Sequence, residues 1–213
     1  MRQAEITRTT SETGISISLN VDGSGQAKLD YPIGFMKHML NTFAKHGLFD
    51  VDIKASGDLE VDQHHLVEDT GIVLGQCFAR ALGDKRGITR VGSCLYPMDE
   101  TLARSAVDVS GRAFLVFDAQ LSGIPLVSVP AGAPGRPNGG AGASSFQIDT
   151  VEDFWQGFVS AAAVTLHMEI LHGRSDHHKI EALFKSTARA LRQACEIDSR
   201  AAEFIPSTKG VLV

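Results

Sequence analysis

The chain has 213 residues, of which 43% are hydrophobic and 21% charged, enough for one sizeable domain or two small halves with a genuine core. A net charge of -5 offers no general attraction to a phosphodiester backbone, which argues against a nucleic-acid partner. No run approaches the roughly 18 apolar residues needed to span a bilayer, and Met1-Arg2-Gln3-Ala4-Glu5 lacks the apolar stretch of a secretory signal. Three scattered cysteines, Cys77, Cys94 and Cys195, fit buried thiols in a reducing cytosol rather than a disulfide framework.

In chain order, residues 4–9 and 14–20 alternate with period two and predict the strands of a β-meander, with Asp22-Gly23-Ser24-Gly25 as the next turn. Phe35, Met39, Leu40 and Phe43 recur at helical spacing over Gly34 to His46, a helix that bears His38 and is expected to stop at Gly47. Val51, Ile53, Ala55 and then Leu59, Val61 predict further strands. From Leu66 to the Gly83-Asp84 stop the apolar residues follow a 3.6 period, so His64-His65-Leu66-Val67-Glu68 opens a helix. Strands are expected at 88–95, 101–109 and 113–120. A Pro/Gly-rich segment at 122–145 reads as a mobile loop. Val151 to Leu171 then predicts one long helix carrying His167, ended by His172-Gly173, and His177 opens a last helix. Both halves thus run strands, a helix ending in His-Gly, then H-H-x-x-E, which implies a single compact body of two pseudo-symmetric halves, about 1–87 and 88–213.

The repeated motif carries the chemistry. His64-His65 with Glu68, and His177-His178 with Glu181, each set two imidazoles and a carboxylate within about one helical turn. Adjacent residues on a helix diverge by about 100°, so each pair of histidines addresses two ions, a dinuclear or two-site centre. His38 and His167, packing residues if taken alone, read as further ligands beside the motifs, giving three imidazoles and one carboxylate per ion. Without thiolates the set suits Mn, Fe, Zn, Co or Ni and does not choose among them. His46 and His172, each before a glycine, read as helix caps. Near the C-terminus, Ile205-Pro206-Ser207-Thr208-Lys209-Gly210 supplies hydroxyls, an ammonium and backbone donors for an anion, with Arg90 and Arg112 as partners in a cationic clamp, though solvated residues would look the same.

In this order the pieces resemble the imidazoleglycerol-phosphate dehydratase family of histidine biosynthesis. The likeness rests on Gly34-Phe35 with His38-Met39-Leu40, His64-His65 with Val67-Glu68-Asp69-Thr70-Gly71, Leu82-Gly83-Asp84-Lys85-Arg86-Gly87-Ile88, Pro97-Met98-Asp99-Glu100, Ser110-Gly111-Arg112, Thr165-Leu166-His167, His177-His178 with Glu181-Ala182, and Pro206-Ser207-Thr208-Lys209-Gly210. It implies an α/β (α+β) fold of two duplicated half-domains, each a four-stranded sheet with two helices packed on one face, of the ribosomal S5 domain 2-like type. It further implies two Mn2+ ions per active site, sites at subunit interfaces of a 24-subunit homo-oligomer, and a small phosphorylated imidazole substrate. By position, His38, His64, His65, Glu68, His167, His177, His178 and Glu181 correspond to metal ligands. Glu12, Arg90, Arg112, Ser207 and Lys209 correspond to substrate contacts, and Glu12, Glu68 and Glu181 to the proton-transfer groups of a dehydration through a metal-stabilised imidazolate.

The chain departs from the family pattern at four positions near the site: Lys37 for an aspartate, Thr42 for a glutamine, and Gln63 and Leu66 for the aspartate and threonine that flank the first pair of histidines. The Pro/Gly-rich loop is also longer than the family suggests. Two other readings therefore stand beside the dehydratase: a divergent paralogue acting on another phosphorylated substrate, and a metal-stabilised assembly protein with little catalysis.

Overall fold

The computed structural model describes residues 1–127 and 145–212. The first half contains β1 (Gln3–Thr9), β2 (Thr13–Asn20), β3 (Ala27–Asp30), α1 (Gly34–Gly47), β4 (Asp50–Gly57) and α2 (His64–Leu82). The second contains β5 (Val91–Met98), β6 (Thr101–Asp108), β7 (Phe114–Asp118), the short β8 (Leu126–Val127) and β9 (Ser145–Phe146), α3 (Thr150–Ala162), β10 (Thr165–His172) and α4 (Asp176–Cys195). With β8 and β9 set aside, the two halves have the same element order. Their sheets also share one strand order, β1-β2-β4-β3 and β5-β6-β10-β7.

Each sheet buries one face. In β2, Ile15, Ile17 and Leu19 turn inward, as period two requires. The helices lie on that inner face and cross between halves: α2 packs on β1, β2 and β4 and also on α3, while α4 packs on β5, β6 and β10 and also on α1. One apolar core results, centred on Trp155, Phe43, Phe49, Phe78, Phe154, Phe158 and Phe184. Each of these fully buried rings stabilises the fold by roughly 1.5–3 kcal/mol.

Small residues set the closest approach. A Cβ on Gly71 would collide with the carbonyl of Phe154, one on Gly75 with that of Phe158, and one on Gly157 would lie 2.9 Å from the Glu68 carbonyl. Glycines on both helices therefore let α2 and α3 meet backbone to backbone.

Several expectations need correction. The helix expected over Val151–Leu171 ends at Ala162, where Ala163 turns left-handed at φ 52°; the rest is β10, with Leu166 and Met168 facing the core. His167 thus sits on a strand and His172 at a strand end, so neither is helical and His172 caps no helix. Residues 59–61 form a turn with Leu59 and Val61 exposed, because β4 has already ended at Gly57. The opening is no simple meander, since β3 runs parallel to β4 at the sheet edge. At the end of α1 the left-handed residue is Leu48, φ 55°; Gly47 is required because a Cβ there would strike the Phe49 ring. Of the loop expected at 122–145, residues 128–144 lie outside the described residues.

The close approach is testable in solution. Gly71→Ala should destabilise by about 1–3 kcal/mol through overpacking, lowering Tm by about 2–4 °C for each kcal/mol in a chain of this size. Gly34→Ala, whose Cβ would meet nothing within 4 Å, should stay within about 1 kcal/mol of wild type in the same thermal melts.

Candidate metal centres

The second motif assembles within the chain. Glu181, in the second turn of α4 and only 8% exposed, presents Oε2 to Nε2 of His177 at 3.2 Å and to Nε2 of His38, on α1, at 3.4 Å. These three donors lie within 4.8 Å of one another, the one such group among the described residues. Burial alone would push the Glu181 carboxyl up, but the Lys185 ammonium at 2.9 Å and His38 outweigh it and hold the group low. It is therefore an anion, as a metal-binding carboxylate must be.

The first motif is arranged differently. Nε2 of His64 faces Glu68 at 3.7 Å, and Nδ1 of the same ring faces Asp153 of α3 at 3.2 Å. His65 turns Nδ1 to Asp58 at 3.0 Å, with Glu12 of the β1–β2 hairpin at 4.0 Å. His178 repeats this in the other half, with Nδ1 2.8 Å from Glu100 of the β5–β6 hairpin. A carboxylate on Nδ1 keeps the proton there and leaves the Nε2 lone pair for an ion, the usual way a protein aims a ligand imidazole. The sequence carries no sign of these carboxylates: Glu100 lies 78 residues from the ring that it holds and Asp153 is on another helix, while Asp58, seven residues before His65, sits across the turn after β4 with no periodic relation to it. The hydrogen bond from His178, with the backbone donor of Ser175, lowers Glu100 to about 2.

His167 projects from the outer face of the second sheet beside Arg104, Val116 and Glu169, away from both motifs of this chain. His46 lies in the last turn of α1 but does not act as a charged cap. Burial, then Lys185 and Arg189, push its pKa down, and its ring meets Tyr96 edge-on at 5.5 Å.

At the anion-binding end, Arg90 grips Asp108 with Nε at 2.7 Å and Nη2 at 2.9 Å, and its Nη1 donates to the Pro206 carbonyl at 2.9 Å. Arg90 thereby ties down the segment carrying Ser207 and Lys209, and two of its five N–H donors have no partner among the described residues. Arg112 is exposed just before β7, and its carbonyl accepts from Thr165 at 3.2 Å.

The departures also find places. Gln63 and Gln147 exchange two hydrogen bonds, 2.9 and 3.1 Å, and the Gln63 amide donates to the Ser145 carbonyl at 2.6 Å. Across the base of the same segment, Asp176 accepts from Ser122 and Lys179 donates to the Gln120 carbonyl. Both ends of the Pro/Gly-rich segment are therefore fastened at the N-termini of the two motif helices. Leu66 is buried against Gly57. Thr42 is buried within α1, and Lys37 is exposed beside His38.

The Asp58 hydrogen bond raises the His65 pKa. The pair therefore adds stability below about pH 6.5 and loses it as pH climbs through the raised value. Asp58→Asn should bring the His65 titration, followed by NMR on metal-free protein, back toward the ordinary imidazole range; an unmoved titration would show that another group holds the ring.

Comparison with known proteins identifies the family. The family model for imidazoleglycerol-phosphate dehydratase matches residues 32–191. A protein of that name from Lacticaseibacillus casei is 52% identical over 212 residues, spanning all of both chains. One from Acinetobacter baylyi is 49% identical over 211 residues, 99% of this chain and 96% of the relative. The crystal structure of the Staphylococcus aureus enzyme superposes with a TM-score of 0.75 at 34% identity, covering 92% of this chain and 99% of that one. The Pyrococcus furiosus enzyme gives 0.74 at 30% identity, covering 97% and 100%. Alike in sequence over the whole length of such relatives and alike in fold to two of their solved structures, the chain belongs to the imidazoleglycerol-phosphate dehydratase family.

Proposed function

We propose that the protein is a hydro-lyase of histidine biosynthesis that converts imidazoleglycerol phosphate to imidazoleacetol phosphate and water, with two Mn2+ ions per site. The observation that carries this reading is the convergence of His38, His177 and Glu181 in a chain whose relatives bear that enzyme's name. The imidazole and carboxylate donors fit a divalent ion of the Mn class. When bound, such ions act as Lewis acids that stabilise negative charge on the substrate's ring. His64, His65 and Glu68 would hold one ion with His38, His177, His178 and Glu181 serving the other or sharing both.

The remaining work falls to the chain's own groups. Dehydration expels the hydroxyl from the carbon beside the ring, with a proton to make water, and removes a proton from the next carbon, which keeps its own hydroxyl and so leaves an enol that becomes the ketone. Glu181 is held by a lysine and two imidazoles, which suits holding an ion better than moving a proton. Glu12 is half-exposed, has no lysine or arginine on its carboxylate among the described residues, and lies 4.0 Å from His65, so it is the better proton carrier. Ser207, Lys209, Arg112 and the unused N–H groups of Arg90 supply donors for the phosphate. His167, on the open sheet face, would reach a centre only in a neighbouring copy, which favours the homo-oligomer with sites at subunit interfaces and the 24-subunit assembly. No helix among the described residues is long and apolar enough to cross a membrane; a cytoplasmic location suits the biosynthetic role.

Expression of the chain should restore growth of a histidine auxotroph lacking this enzyme, and purified Mn-loaded protein should turn over imidazoleglycerol phosphate; folded, Mn-loaded protein without turnover would sink the reading. Glu12→Gln should lower kcat about 10²–10⁴-fold at unchanged metal content, whereas His177→Ala should lose metal and activity together. Full metal content in His177→Ala would remove that histidine from the ligand set.

A further inference from the structure

The two centres are built on equivalent elements but not from equivalent groups. Leu48 and Ala163, the left-handed residues that end α1 and α3, lie 115 positions apart, and the same offset separates the first residues of β4 and β10, Asp50 and Thr165. Applied to the helices, it pairs His38 with Asp153. Both residues face the motif of the other half, His38 toward His177 and Glu181, and Asp153 toward His64. Where α1 lends a third donor to its neighbouring motif, α3 therefore lends a carboxylate. That carboxylate is not aimed at Glu68. It takes Nδ1 of His64 while Nε2 of the same ring faces Glu68, so it orients the imidazole and contributes no donor to the ion. The same offset pairs His167 with Asp52, an outward residue bound to Lys28 at 3.1 Å, so neither strand position completes the first centre within one chain.

We propose that the two metal centres are unequal and fill in order. The centre of His38, His177 and Glu181 is preassembled and fills first. The centre of His64 and Glu68 fills second, because Asp153 stands where the other half has His38 and acts as a positioning residue. This inference rests on the metal-centre reading above.

The test is a titration of metal-free, full-length protein with MnCl2, with free Mn2+ counted by electron paramagnetic resonance. Wild type should show two classes of site. His38→Ala should abolish the tighter class. Asp153→Ala should weaken the second class about 10–100-fold and leave the tighter class in place, and Asp153→Glu, which keeps a carboxylate for Nδ1 of His64, should recover part of that loss. His38 and Asp153 have side chains 48% and 40% exposed, so these variants should fold, which circular dichroism checks. A single class of equal sites in wild type, or a second class unmoved by Asp153→Ala, would overturn the proposal. Wild type that binds no Mn2+ would instead overturn the metal-centre reading itself.

Discussion

The backbone-to-backbone contact of α2 with α3 governs where everything else in the site falls. Glycine at positions 71, 75 and 157 removes the side chains that would hold the two helices apart, and close packing between halves follows. Each motif is then completed from the opposite half: α3 brings Asp153 to His64, and α1 brings His38 to Glu181. Neither half gathers these groups alone, which gives a physical reason for the halves to share one core rather than fold as separate domains.

How much of this could be read from the sequence varies with the range of the interaction. The motifs, α2, α4 and the hairpin strands show because their period is local and their apolar residues face one core. The strand β10 was hidden because Phe154, Phe158, Ala161, Ala162, Thr165 and Met168 keep a helical spacing across Ala163, where the chain in fact reverses; the buried alternation of Leu166 and Met168 is the competing signal, and the need of a fourth strand beside β6 and β7 decides it. β3 was missed for its shortness, four residues at a sheet edge. The carboxylates Asp58, Glu100 and Asp153 carry no local pattern. Only aligning the two halves with each other would have brought Asp153 forward.

The electrostatics divide the acidic residues into two kinds. Glu181 lies buried among a lysine and two imidazoles and is held ionised by them despite its burial. Asp58, Glu100 and Asp153 stand on the other side of the rings, taking Nδ1 and leaving Nε2 for an ion. Three of the four histidines in the two motifs, His64, His65 and His178, thus depend on carboxylates from a hairpin, a turn and a neighbouring helix. The same logic places Gln63: it secures the base of the Pro/Gly-rich segment through Ser145 and Gln147 at the residue next to His64, so a departure from the family pattern acts as a local fastening of the first motif's helix to the second half.

The central claim is that the paired motifs are metal centres, and anomalous diffraction at the manganese edge, from crystals grown with MnCl2, addresses it most directly. The account predicts two anomalous peaks, one among His38, His177 and Glu181 and one beside His64 and Glu68. Peaks confined to other parts of the surface, or none at either pair of histidines, would contradict it.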